Sequence, residues 1–143
     1  MLSKSSKYAL KSVLYLAVNS SENQRILAKD IAKPINVPKA YIAKILQELA
    51  KHHLVSSTRG PNGGFYMTKE NKERPIIDIV LLIDGEYRLT SCLLSIEECD
   101  EDNPCPLHRL IGSAKINFRK NLQRTTVNDL VRDIREERSF LPL

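Results

Sequence analysis

The sequence predicts a mainly α-helical fold, a winged helix-turn-helix with a β-hairpin wing, followed by a long C-terminal helix. Three patterns predict it. A short helix, a tight turn and a longer apolar-striped helix follow one another between Ala28 and His53. Two short strand-like runs then flank the tip Arg59-Gly60-Pro61-Asn62-Gly63-Gly64, which holds three of the chain's five glycines. From Pro106 onward, apolar residues keep helical spacing for four turns.

Taken in order, Leu10, Val13, Leu14 and Ala17 recur at i, i+3, i+4 and i+7, so an amphipathic helix is expected over Ser6–Asn19. The polar stretch Ser20–Gln24 ends it. A short helix, Ala28–Lys33, is expected to stop at Pro34, with Pro34-Ile35-Asn36-Val37 as the turn. Pro38 suits the first position of the next helix, where its missing N–H would lack a partner anyway. That helix buries Ile42, Ile45, Leu46 and Leu49 and runs to about His53. His52 and His53 then sit at the negative end of its dipole. Leu54–Thr58 and Phe65–Met67 read as the two strands of the wing.

Ile76–Asp84 is almost wholly apolar, and Gly85 behind it reads as a helix stop, which favours helix over strand. Ser91–Pro104 is a polar loop. Leu107, Leu110, Ile111, Ala114, Phe118 and Leu122 stripe the helix that begins at Pro106. Thr126 and Asp129, three residues apart, form a capping arrangement for a last helix bearing Leu130, Val131 and Ile134. The chain thus divides into a winged-helix unit, residues 1–75, and a helical region, residues 76–143.

Composition narrows the function. The 143 residues are 42% hydrophobic and 27% charged, a globular balance. No apolar run approaches the ~20 residues of a membrane span, and MLSKSSKYAL lacks the pattern of a signal peptide. Three cysteines, an odd number, argue against a disulfide framework and for a reducing cytoplasm. No nucleophile motif, phosphate loop or defensible carboxylate pair points to an enzyme, since the Gly-rich tip lacks the strand–loop–helix order and Lys of a phosphate loop.

The net charge of +5 is unevenly spread. Residues 1–75 carry 13 basic and 5 acidic side chains, a net of +8, whereas residues 76–143 carry 9 and 12, a net of −3. A basic front half attracts polyanions, double-stranded DNA first among them, with a solvated basic face as the plainer alternative. With the apolar stripe of the second helix turned inward, Lys39, Tyr41, Lys44 and Lys51 lie outward or at its rim. Lysine offers a cation to phosphate or guanine, and tyrosine can bond a phosphate or pack on a thymine methyl. Arg59 stands at the wing base, beside a tip kept slim by Gly63.

Cys92, Cys99, Cys105 and His108 form the pattern C-x6-C-x5-C-x2-H. Thiolates and imidazole suit zinc or iron–sulfur, not magnesium or calcium. Zinc knuckles use tighter spacings, so gaps of six and five fit an iron–sulfur cluster better. With Pro106 as first helical residue, Cys105 would be the N-cap and His108 would lie about one turn on. Unpaired N–H groups at that helix start would stabilise anionic thiolates. Glu97, Glu98, Asp100, Glu101 and Asp102 surround Cys99 and would raise its thiol pKa without metal. Buried structural cysteines, a metal-free regulator responding to thiol oxidation or a small metabolite, and a zinc-stabilised protein-interaction module are the alternatives.

Lys7-Tyr8-Ala9-Leu10, the segment Lys39–Leu49 and the run Val55–Phe65 with its Arg-Gly-Pro-x-Gly-Gly-aromatic motif resemble the Rrf-type winged-helix transcriptional repressors. That family includes the iron–sulfur cluster regulator and the nitric-oxide-sensing repressor. The resemblance runs from Met1 to about Ile134. It implies a DNA-binding homodimer built on a dimerisation helix matching Pro106–Gln123, on a partly palindromic operator. It also implies an iron–sulfur cluster, two-iron with four-iron as the alternative, held by Cys92, Cys99 and Cys105. His108 matches the histidine that the cluster regulator adds. Six residues separate the first two cysteines where five are usual, and Lys7 stands where the nitric-oxide sensors place an acid. Pro38, Ala40, Ala43 and Lys44 replace polar residues that the cluster regulator uses on DNA, while Tyr41 and Arg59 are retained. DNA binding is implied to carry over and the operator sequence is not.

Overall fold

A computed structural model describes residues 2–94 and 99–143. Helices α1 (Lys4–Asn19), α2 (Ala28–Ile35) and α3 (Lys39–Lys51) precede the hairpin β1 (Ser56–Thr58) and β2 (Gly64–Tyr66). Then follow α4 (Lys69–Lys72), α5 (Ile76–Asp84), α6 (Tyr87–Thr90), α7 (His108–Arg124) and α8 (Val127–Arg135). The winged helix and the long late helix are as the sequence predicts.

α1 starts where the Ser3 side chain caps the Ser6 amide at 3.0 Å. Pro34, expected to stop α2, lies inside its last turn. The helix ends instead at Asn36, whose left-handed backbone (φ 58°) lets the Asn36 and Val37 amides reach the Lys33 and Ala32 carbonyls, both at 3.2 Å. Pro38 is the N-cap of α3 and not its first residue. α3 stops at Lys51 in the same way as α2: His53 turns left-handed (φ 57°) and Leu54 N–H bonds the Leu49 carbonyl at 3.0 Å. Leu54 is thereby buried.

The hairpin is antiparallel, with Ser56 opposite Tyr66, Ser57 opposite Phe65 and Thr58 opposite Gly64. Ile26 adds a short third rung, exchanging two backbone bonds with Phe65 at 2.9 and 2.8 Å. This ties the wing to the segment between α1 and α2. Gly64 (φ +147°) is required there, because a Cβ would stand 2.9 Å from the Ile26 carbonyl oxygen.

Ile76–Asp84 is helical and ends at Gly85, as expected. Two short helices, α4 and α6, carry too few residues to register as periodic patterns. The expected start of the long helix is corrected: Leu107 is the N-cap of α7, and Cys105 is not. The reason is a preceding tight turn in which His108 N–H bonds the Cys105 carbonyl at 2.9 Å. The Thr126–Asp129 capping box forms with both reciprocal bonds, at 2.9 and 3.1 Å.

One core joins the two halves of the chain. Val13, Leu16, Ile31, Ile42, Leu46 and Leu49 pack with Ile76, Ile79, Val127 and Val131. A second cluster of Ile77, Val80 and Leu89 receives Phe118 and Leu122, which seats the C-terminal part of α7. None of α7 is fully buried, and Leu110 and Ile116 are 71% and 52% exposed. Among the described residues, no helix is long and apolar enough to cross a membrane.

Candidate nucleic-acid interface and thiol cluster

Because Ile42, Ile45, Leu46 and Leu49 are turned into the core, α3 presents the rest of its surface outward. One flank of α3, the start of α2 and the wing enclose an open groove of about 900 Å³. Lys29, Lys39, Gln47, Lys51, Thr58, Arg59 and Gly63 contribute to its walls. The sequence-derived candidates Lys39, Arg59 and Gly63 therefore meet at one groove. Tyr41 and Lys44 lie outside that lining, farther round α3, and both are exposed. Among the described residues, Lys29, Lys39, Lys44 and Arg59 have no acidic partner, whereas Lys51 pairs with Glu48 at 3.4 Å. Uncompensated cations on both sides of a groove suit a polyanion strand.

Gly63 earns its place sterically, since a Cβ there would overlap the Thr58 carbonyl oxygen. Tyr41 is positioned by α1: its hydroxyl meets Ser5 Oγ at 2.6 Å and its ring meets Tyr8 edge-on at 5.9 Å. Sequence reasoning missed Lys29 and Gln47. Gln47 was recoverable, because it lies two turns beyond Lys39 on the same side of α3.

Cys92 Sγ and Cys105 Sγ, neither of which lines that groove, approach to 3.6 Å. Cys99 belongs to the same patch. Its thiol pKa is raised, first by desolvation and then by a hydrogen bond and charge interaction with Cys92, while Lys115 works in the opposite direction. The direction matches the expectation, and among the described residues its causes are desolvation and the neighbouring sulfur atoms. Glu97 and Glu98 lie outside the described residues, and Asp100 turns inward on its own loop to accept from the Asp102 and Asn103 amides at 2.9 and 3.1 Å.

His108, on the first turn of α7, lines a small crevice together with Cys99, Cys105 and Lys115. Its Nδ1 is buried with no hydrogen-bond partner. Lys115, two turns along the same side of α7, donates to the carbonyls of Thr90, at 3.1 Å, and Ser91. It therefore anchors the chain immediately before Cys92. Among the described residues, no three His, Cys, Asp or Glu side chains already surround a common metal position. The donor types nevertheless fit a soft metal centre: three thiols and an imidazole whose buried nitrogen lacks a partner.

A chain of contacts leads from this patch to α3. The Asp84 side chain, 3% exposed at the end of α5, accepts from the Ser3 amide at 3.0 Å and from the Ser3 hydroxyl. Arg88 of α6 stands 3.8 Å away. Ser3 caps α1, and Ser5, in the first turn of that helix, holds Tyr41. Glu86 and Arg119 add an ion pair between the α6 start and α7.

Comparison with known proteins bears on the family and the fold. A family model described as Rrf2, iron-dependent transcriptional regulator, matches residues 2–133. Protein rrf2 of Nitratidesulfovibrio vulgaris is 33% identical over 140 residues, covering 92% of this chain and 87% of that protein. The HTH-type transcriptional regulator IscR of Photorhabdus laumondii is 30% identical over 109 residues, covering 76% and 65% of the two chains. The structure of CymR, the global cysteine regulator of B. subtilis, superposes with a TM-score of 0.73 at 25% identity, over 92% of this chain and 96% of that one. With its winged helix, its basic groove and a match over nearly its whole length, the chain belongs to the Rrf2 family of DNA-binding transcriptional regulators, which are not enzymes.

Proposed function

We propose that this protein is a cytoplasmic, homodimeric transcriptional repressor whose operator affinity is controlled by an iron–sulfur cluster, two-iron in the first instance, held by Cys92, Cys99, Cys105 and His108. One observation carries the reading: three thiols and an imidazole with an unpartnered buried nitrogen gather where α6 meets the start of α7. The family description, iron-dependent, supports it. Bound there, the cluster would supply a redox-responsive cross-link between the end of α6 and the first turn of α7.

The chain's own residues do the rest. Lys115 holds the α6 end against α7, and Asp84 and Arg88 link that corner to the α1 cap. Ser5 and Tyr8 transmit the α1 position to Tyr41. Lys39, Tyr41, Lys44 and Arg59 face DNA in this reading, and Gly63 keeps the wing tip slim. Two heads joined through α7 would read two half-sites, with residues 1–75 as the reading unit and 76–143 as the control unit. A regulator of this kind acts where the chromosome is, which is the cytoplasm.

Anaerobic purification with iron and sulfide tests the proposal. The expected product is brown, contains acid-labile sulfide, shows an electron paramagnetic resonance signal on reduction, and loses operator affinity when stripped with a chelator. A colourless product without labile sulfide would sink it. The 3.6 Å approach of Cys92 and Cys105 favours one second reading, in which the metal-free dithiol is the sensor. Peroxide would then change DNA binding in protein shown to be metal-free.

A further inference from the structure

We propose that Arg25 is a phosphate-contacting and wing-positioning residue, a second cation of the wing. It precedes the Ile26–Phe65 rung by one position, so the antiparallel pairing sets it across from Tyr66. Its guanidinium lies over the Tyr66 ring, 5.5 Å from the centroid. Its Nη1–H donates to the Asn62 carbonyl at 3.3 Å, in the wing tip. Arg25 therefore touches both the strand and the tip of the same hairpin, and it does so from a segment that the Ile26 rung fixes to that hairpin.

The geometry leaves Arg25 able to do more than brace. A guanidinium carries five N–H donors in one plane, and one of them is engaged at Asn62. Against an aromatic ring the cation is held at low entropic cost while its free edge still faces water. That edge matches the two oxygens of a phosphate. Among the described residues Arg25 has no acidic partner, and its side chain is exposed. It lies outside the groove lining to which Arg59 belongs. The wing thus presents two cations at different places, Arg59 in the groove and Arg25 against Tyr66. A wing entering along the backbone of a duplex meets phosphates beside it as well as in the groove, and Arg25 is placed to take one of them.

The inference rests on the DNA-binding reading and is independent of the cluster. Its test is the salt dependence of binding to a fluorescent, random-sequence duplex of about 30 base pairs, followed by anisotropy from low to moderate salt. Each phosphate contact contributes about −0.9 to the slope of log affinity against log salt. Arg25→Gln is expected to make the slope shallower by about one contact for each bound head, and to weaken binding about eightfold per head at 0.1 M salt. Arg25→Lys is expected to recover the slope but not the full affinity, because the charge returns without the planar fork. Tyr66→Leu is expected to keep the slope and lose affinity.

A brace without a phosphate contact would lower affinity at unchanged slope in Arg25→Gln, so equal slopes overturn the proposal. Circular dichroism and melting of Arg25→Gln confirm that the fold is intact, as an exposed side chain requires. Failure of the wild-type protein to bind the duplex at low salt would strike the DNA-binding reading itself, which separates the two outcomes.

Discussion

The Tyr41 hydroxyl rests 2.6 Å from Ser5 Oγ, so a candidate DNA-reading side chain is held by the first turn of the first helix. Tyr8 steadies the same ring from the side. Holding the ring in advance removes an entropic cost that binding would otherwise carry. Tyr41→Phe keeps the Tyr8 contact and loses the hydroxyl. It is expected to weaken operator binding about tenfold, the worth of one hydrogen bond of about 1–1.5 kcal/mol, with melting unchanged within a few degrees. Ser5→Ala frees the hydroxyl without deleting it and is expected to cost less. Identical affinities for wild type and Tyr41→Phe would remove the Tyr41 hydroxyl from the interface.

Gly63 makes a separable demand. A methyl group there would collide with the Thr58 backbone, which cannot rotate away as a side chain could. Gly63→Ala is expected to distort the tip locally, costing about 1–3 kcal/mol of stability. It should also reduce DNA binding by more than that loss of folded protein explains. Urea unfolding and anisotropy on the same preparation make the comparison, and an affinity loss no greater than the unfolded fraction would show the tip to be dispensable.

Asp84 gives the pH dependence. Burial pushes its carboxyl pKa up, but the Ser3 hydroxyl and amide bonds and the Arg88 charge outweigh this, and the group is held below the ordinary range. A depressed pKa contributes stability that is complete above the unfolded-state value of about 3.9. That contribution is lost as pH falls through the lower folded value. Asp84→Asn is therefore expected to cost about 1–2 kcal/mol at neutral pH. The gap from wild type should narrow as urea titrations are repeated below about pH 4. A gap that stays constant down to about pH 3 would exclude this linkage.

The parts legible in the sequence are those written in local spacing. The stripe Ile42, Ile45, Leu46, Leu49 and the glycine-rich tip specify reading helix and wing, and the Thr126–Asp129 box is a complete local signal. Boundaries fail where backbone geometry decides. Pro34 removes a single helical bond in a last turn, so α2 runs on until Asn36 goes left-handed. The Cys105–His108 turn similarly delays α7 by two residues relative to Pro106. Contacts between distant segments leave no local trace: Asp84 and Ser3 are 81 positions apart, and Arg25 and Asn62 are 37 apart. The cysteine pattern identified the thiol patch, but it could not reveal Lys115 as the anchor of the chain before Cys92.

His108 separates a ligand role from a structural one. A buried nitrogen without a partner is a cost to the metal-free protein, in the range of 1–3 kcal/mol for an unmet polar group. His108→Ala also loses some packing in its crevice, so metal-free melting is expected to change by no more than a few degrees. Reconstitution should be affected far more, with a weakened or shifted visible absorption and slower cluster assembly, whereas His108→Cys should retain colour. A His108→Ala protein that destabilises strongly when metal-free yet reconstitutes like wild type would make the histidine structural.

Leu110 carries the prediction about assembly. At 71% exposure on a helix with no fully buried residue, it lies on a stripe whose C-terminal members, Phe118 and Leu122, already pack against α5 and α6. The unburied part of that stripe is the surface a second copy would cover in the proposed dimer. Leu110→Glu places a charge there without disturbing a core contact, since Leu110 belongs to neither buried cluster. Sedimentation is expected to show a dimer for wild type and a monomer for Leu110→Glu, both fully helical. Operator affinity should fall by at least about a hundredfold, because one head then binds without the effective concentration supplied by the other. A dimer that survives Leu110→Glu and Ile116→Glu together would assign assembly to a different surface.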